Sequence, residues 1–202
     1  MNLEQNNNLY DIQSLIFKQQ DFIRELQANP SMNLEVDLGC GKGRFLLTRA
    51  SKFPDTIFLG IDKRKKRIEL VSKRAMKMQL NNVRLILSEI NFAISTFLPP
   101  SSVSVYYLFF PDPWPKRRHS RRRLFNTKFM NAIARTLKPH GKLHLATDDE
   151  NYFKEIVNVV ENDKRFEPIE VFIPAEDERT HFEILFLEQN KKILRYSIVL
   201  KQ

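Results

Sequence analysis

Glu35-Val36-Asp37-Leu38-Gly39-Cys40-Gly41-Lys42-Gly43 is the stretch on which the reading of this chain turns. It closes a first strand, Leu34–Leu38, and precedes Arg44-Phe45-Leu46-Leu47, where apolar residues recur at helical spacing. A strand that closes on glycines and opens a helix is a loop for a nucleotide or nucleoside, because glycine allows the tight turn and a close approach of ligand to backbone. In a dinucleotide fingerprint the last glycine comes three positions after the second, whereas Gly43 comes two after Gly41. Asp37, two before Gly39, is a poor neighbour for a pyrophosphate and a good one for a cationic amino acid moiety. The loop therefore favours S-adenosylmethionine over NAD. A glycine-rich turn with no ligand remains the plain alternative.

Outward from this loop, Leu34–Leu38, Thr56–Ile61, Val83–Leu87, Val103–Phe110 and Lys142–Ala146 read as strands separated by amphipathic stretches. Nearly continuous apolar strands demand burial on both faces, which predicts a mostly parallel sheet covered by helices on both sides. Beyond Tyr152 the rhythm changes: Phe166–Ile173 and Ile193–Leu200 read as two more strands with a helix-like Thr180–Gln189 between them, giving an antiparallel strand near the C-terminus. Ser14–Leu26 reads as a helix packed on the sheet edge or over the site, preceded by a flexible start. Prolines 30, 54, 99, 100 and 139 fall at the inferred joints. One α/β domain spanning residues 1–202, Rossmann-like, is the expected architecture.

Composition narrows the partner. Thirty-three Lys and Arg against 24 Asp and Glu give a formal charge of +9, an excess suited to nucleic acid or to an anionic membrane surface. The longest apolar run, Val103 to Phe110, is far short of a membrane-spanning helix, and the Asn-rich start has no signal-peptide core. A soluble, cytoplasmic protein is expected. The single cysteine, Cys40, makes no internal disulfide, and with four scattered histidines it offers no metal site.

Two further carboxylates sit where strands end. Asp62, closing Leu59-Gly60-Ile61-Asp62, is placed to accept the hydroxyls of a ribose, or to cap the helix that follows. Glu89 follows the third strand, where an adenine would lie, and reads equally as an exposed or capping glutamate. After the fourth strand comes Phe109-Phe110-Pro111-Asp112-Pro113-Trp114-Pro115-Lys116-Arg117-Arg118-His119-Ser120-Arg121-Arg122-Arg123. Its prolines fix the backbone around Asp112, so one carboxylate is presented on a rigid hook beside a track that attracts phosphates. Lys63-Arg64-Lys65-Lys66-Arg67 either extends that track or is a solvated helix start.

The hook and its basic continuation resemble the tRNA (guanine-N7)-methyltransferase family of bacterial type. The resemblance extends from Asp37 through Gly60-Ile61-Asp62 and the hook to Ala146-Thr147-Asp148 and Thr180-His181-Phe182-Glu183, in family order. It implies a class I S-adenosylmethionine-dependent fold and methyl transfer to N7 of guanosine in tRNA, at position 46 of the variable loop. It further implies that Asp37, Gly39, Gly41, Asp62, Glu89 and Asp112 bind the cofactor, with Asp112 also the catalytic carboxylate. Lys116, Asp148, Thr180, His181, Phe182 and Glu183 would bind substrate, and Arg118, His119, Ser120, Arg121, Arg122 and Arg123 would contact RNA. No metal, membrane or obligatory protein partner is implied, and the protein would be a monomer or homodimer.

The chain departs from the family at two places: Asp37 replaces a glutamate, and Asp149 stands where a tryptophan usually follows Ala-Thr-Asp. Thr180-His181-Phe182-Glu183 reads from its residues alone as a capping box. The competing functions are a non-catalytic RNA-binding module on the same fold, a related RNA methyltransferase with another target, and an NAD-dependent enzyme.

Overall fold

The computed structural model of the chain describes residues 20–114 and 123–201. A helix over 20–28 (α1) leads to β1 (Leu34–Leu38), α2 (Arg44–Lys52), β2 (Ile57–Asp62), α3 (Lys65–Lys77), β3 (Val83–Leu87), α4 (Ile90–Phe97) and β4 (Val103–Phe109). The second half runs α5 (Thr127–Thr136), β5 (Leu137–Thr147), α6 (Glu150–Glu161), β6 (Phe166–Pro168), a 3₁₀ turn (Glu176–Glu178), α7 (His181–Glu188) and β7 (Leu194–Leu200). One seven-stranded sheet has the order β3-β2-β1-β4-β5-β7-β6. The first five strands pair in parallel, while β7 pairs antiparallel with both β5 and β6. The order reverses between β1 and β4, and ligands of open α/β sheets bind in the crevice at such a reversal.

The alternation of β1 explains the layers. Leu34, Val36 and Leu38 enter a large cluster with Phe22 and Leu26 of α1, Ala93 and Ile94 of α4, Phe129 and Ile133 of α5, and Tyr152 and Ile156 of α6. Glu35 and Asp37 point to the opposite face, on the side of α2. There Leu46, Leu47 and Ala50 of α2 pack with Ile68, Val71 and Ala75 of α3 over Phe58 of β2.

The expected strands are present, each within one residue of its expected ends except β5 and β6. Pro139 lies inside β5, not in a joint before it: the ladder pairs Leu137 with Val103, then skips to Lys142 opposite Val105. His140 is left-handed (φ 61°) in that bulge, so the proline takes the place of no ladder donor. The sixth strand ends at Pro168 instead of Ile173, because the chain leaves the sheet edge to lay Phe172 over the sheet. The Phe172 ring lies 4.9 Å from His144 and 5.3 Å from Tyr107. The helix expected over Ser14–Leu26 continues to residue 28, and residues 14–19 lie outside the described part.

The crossing segment, 169–179, is tied down by charge. Glu35 accepts hydrogen bonds from the Tyr107 hydroxyl (2.8 Å) and from Arg49 Nη2 (3.3 Å), and Arg49 Nη1 is 3.5 Å from Glu178 Oε2. Lys52 Nζ bridges Asp177 (2.8 Å) and Glu178 (3.2 Å), and Arg44 Nε donates to the Arg179 carbonyl (3.0 Å). Three residues of α2 thus hold the strap that precedes α7.

Candidate functional site

The glycine loop turns as its sequence requires. Gly39, Gly41 and Gly43 are all left-handed, with φ of 85°, 57° and 77°. A Cβ on Gly43 would lie 2.7 Å from Val71 Cγ2, so the third glycine also lets α2 approach α3. A Cβ on Gly41 would meet only the Gly39 carbonyl at 3.8 Å, so that peptide faces open space. The amides of Gly39 and Cys40 both donate to the Ile61 carbonyl, at 2.8 and 3.1 Å, which fastens the loop to the end of β2. Cys40 is buried, and burial raises its thiol pKa, leaving it a packing residue without nucleophilic character.

Asp37 is only 6% exposed, and its carboxylate accepts no hydrogen bond among the described residues. Burial, and secondarily the negative charge of Asp62, push its pKa up to about 7. Asp62, 4% exposed, is by contrast saturated: Oδ2 accepts from the Gly41 amide (3.1 Å) and from Arg67 Nη1 (3.1 Å), and Oδ1 from the Arg64 amide (2.8 Å). Asp62 thus holds the turn that leads into α3 from the strand end, and it does not cap the helix: Arg64 is the N-cap residue and receives no side-chain cap. Glu89 is exposed at the position before α4, makes no side-chain cap, and lies 3.6 Å from Lys63 Nζ.

The hook follows β4. The Phe110 amide donates to the Ala146 carbonyl (2.7 Å), and Phe110 and Trp114 are left-handed, with φ of 53° and 44°. Asp112 is exposed between the two prolines. Arg123 closes the loop from its far side: Nε donates to the Pro113 carbonyl (2.7 Å), Nη2 to the Trp114 carbonyl (3.3 Å), and Nη1 pairs with Glu155. Its guanidinium also lies 5.3 Å over the Tyr152 ring, and its side chain is 11% exposed. Arg123, a residue that the resemblance assigns to RNA, has these donors engaged by the hook and by Glu155 and clamps the hook in this structure. Lys116, Arg118, His119, Ser120, Arg121 and Arg122 lie outside the described residues.

At the end of β5, Asp148 Oδ2 lies 3.2 Å from Lys191 Nζ. Its neighbour Asp149 accepts from the Tyr152 amide (2.8 Å) and caps α6, which gives the departure from tryptophan a structural use. Thr180 caps α7 by accepting from the Glu183 amide (3.0 Å), as the capping-box reading predicts. The other half of the box is absent. Glu183, 2% exposed, turns instead to Arg195 of β7 and forms an ion pair with it. Burial raises the Glu183 pKa above the usual carboxylate range while Arg195 lowers it. Glu183 Oε2 and Arg195 Nη1 are left over as a buried acceptor and donor without partners. His181 and Phe182 are exposed on α7.

The structure thus brings Asp37, the glycine loop, Asp62, Glu89, Asp112 and Asp148 to the carboxyl edge of five adjacent strands. Sequence reasoning missed Arg67, Arg123's inward role, Arg195 and the Glu35–Arg49–Glu178 chain. Apart from Arg67, which reaches Asp62 five residues back, their partners lie nine or more residues away, and no local spacing signals them. Among the described residues no group of His, Cys, Asp and Glu is arranged to hold a metal, and no helix is long and apolar enough to cross a membrane. The residues fit a cationic, nucleoside-containing cofactor: the loop backbone is open to approach, and Asp37 is a buried carboxylate lacking a cation.

Comparison with known proteins agrees with this geometry. The 16S rRNA methyltransferase KamB superposes with a TM-score of 0.61 at 13% identity, over 84% of this chain and 88% of that one, a likeness of fold. A family model described as putative methyltransferase matches residues 31–196. A tRNA (guanine-N(7)-)-methyltransferase of Chlorobium phaeobacteroides is 36% identical over 87% of this chain and 85% of its own length. One of Rubrobacter xylanophilus is 32% identical over 82% of this chain and 76% of its own. With the glycine loop, the strand-end acids and the proline hook in their places on such a sheet, the chain belongs to the tRNA (guanine-N(7)-)-methyltransferase family.

Proposed function

We propose that this protein transfers a methyl group from S-adenosylmethionine to N7 of a guanosine in tRNA, the one at position 46 of the variable loop. The observation that carries the reading is Asp37: a buried carboxylate without a hydrogen-bond partner, beside a glycine loop and next to the strand that bears the hook. A site of this kind costs the protein stability unless a cation completes it. Asp37, Gly39, Gly41, Asp62, Glu89 and Asp112 would hold the cofactor, which when bound supplies an electrophilic methyl on a sulfonium.

The chain's own work is then to orient the acceptor. Guanine N7 is a lone pair without a proton, so no residue must act as a base before transfer, and positioning dominates. Asp112 and Asp148 are assigned to the guanine, and their charge favours the cationic purine that forms. The stretch 116–122 is assigned to the phosphates. The same reading places the reaction in the cytoplasm and asks for no obligatory protein partner.

Incubation with labelled S-adenosylmethionine and unmodified tRNA, followed by strand scission specific for 7-methylguanosine, tests it. Scission in the variable loop is the expected result. Label without scission would move the reaction to another atom, and no label in any RNA would refute it. Asp112→Ala is expected to abolish transfer while the thermal transition stays unchanged; near-normal turnover would remove Asp112 from the centre.

A further inference from the structure

Helix α7 carries more exposed apolar surface than its packing needs. Phe182 is 46% exposed, and Leu185 and Leu187 are each 40% exposed. Phe182 and Phe186, one turn apart, stack with ring centroids 6.0 Å apart and planes inclined by 25°. Phe186 in turn meets Phe110, the residue that opens the hook, at 5.3 Å. Lys191 Nζ sits 4.5 Å over the Phe186 ring while it also reaches Asp148. The helix is held in place by the Thr180 cap and by the inward pair of Glu183 with Arg195. Phe182 is therefore a flat ring on a fixed support, stacked on Phe186, the ring that Lys191 and Phe110 of the hook border.

We infer that Phe182 and Phe186 form a stacking platform for the nucleobase next to the target guanosine, with Lys191 beside that nucleotide's phosphate. The inference rests on the proposed methylation of tRNA and adds a second subsite to it. A guanosine drawn into a strand-end site leaves its neighbour with an unstacked face. Aromatic rings recover that stacking whatever the base, because every base has a π-face. The occupant is taken as RNA and not a second copy of this chain on two grounds. The apolar rings are rimmed by Lys191, a cation suited to a phosphate, and they adjoin the residues assigned to the guanine.

The experiment uses full-length protein and unmodified tRNA carrying an abasic nucleotide on one side or the other of the methylated guanosine. Phe182→Leu keeps an apolar side chain and removes the stacking ring. It is expected to raise KM for intact tRNA about tenfold, with the S-adenosylmethionine Kd and the thermal transition unchanged. An abasic nucleotide on one side should cost the wild-type protein a similar factor and cost the Leu variant nothing more. Factors that multiply, or no effect of either change, overturn the platform while leaving methylation of intact tRNA in force. A drop in thermal stability or cofactor affinity without RNA assigns the ring to the protein's own packing, and a dimer lost in the Leu variant assigns it to a second copy. Either result overturns the inference. Failure of the wild-type protein to methylate intact tRNA removes the parent reading and this one with it.

Discussion

Asp37→Asn removes a titrating group from the sheet interior at constant size, and its effect on stability follows from one comparison. The carboxyl has a pKa of about 7 in the folded protein against an ordinary 3.8, because of burial and then of Asp62. A carboxyl whose folded value is raised supports folding fully below its ordinary value, and that support is lost as pH rises through the folded value. The loss begins near the ordinary value and levels off above about 7. Between about pH 5.5 and pH 7 it amounts to roughly 1.5 units, or about 2 kcal/mol. Asparagine undergoes no such loss, and the other titrating groups are common to both proteins. Urea unfolding without cofactor at about pH 5.5 and about pH 8.5 should therefore show the variant gaining about 2 kcal/mol on the wild type between the two conditions. The same variant should bind S-adenosylmethionine poorly. A stability gap that is the same at both pH values would refute the claim that Asp37 is buried without compensation. A gap that widens while cofactor affinity is kept would leave the burial standing and take Asp37 out of the cofactor site.

Three other expectations concern the same edge of the sheet. For the wild-type protein the S-adenosylmethionine Kd should rise by up to about tenfold per pH unit below about 7, as Asp37 must give up a proton to meet a cation; calorimetry in buffers of different ionisation enthalpy would count that proton. Arg123→Ala leaves the Pro113 and Trp114 carbonyls without their donor, and should cost about 3 kcal/mol in denaturant unfolding and at least tenfold in kcat/KM for tRNA. Gly43→Ala forces a left-handed alanine against Val71 and should cost about 2 to 4 kcal/mol. Adding Val71→Ala should then cost less than it does alone, as a double-mutant cycle would show.

The parts of the site that lie within a few residues of a strand end were legible from the sequence. The glycine loop, Asp62 and the hook announce themselves by residue type and spacing, and β1 is found where its apolar run predicts. Residues whose use depends on a distant partner were not. Glu35 sits inside a strand read as apolar, and only the fold shows that Tyr107 and Arg49 satisfy it. Arg123 looked like one more cation in a basic run, and its burial against Tyr152 and Glu155 distinguishes it. Glu183 had a local partner in the capping box and a remote one in Arg195, and the remote one holds it. A buried carboxylate gains more from a guanidinium than from an already capped helix end. The sixth strand was overextended because Phe172, a good strand residue, is used for packing across the sheet instead of for pairing along it.

The strap between β6 and α7 has a bearing on how this protein can be rebuilt. Arg44, Arg49 and Lys52 belong to the helix that opens at the glycine loop, and the residues they grip, from Asp177 to Arg179, lead directly into the helix that carries Thr180 and Glu183. A chimera that took its carboxyl-terminal third from a relative would inherit a strap cut to another protein's α2. The natural unit of exchange is therefore the carboxyl-terminal third together with the outer face of α2, and grafts that move the two as one should keep the aim of α7 where grafts of either alone lose it.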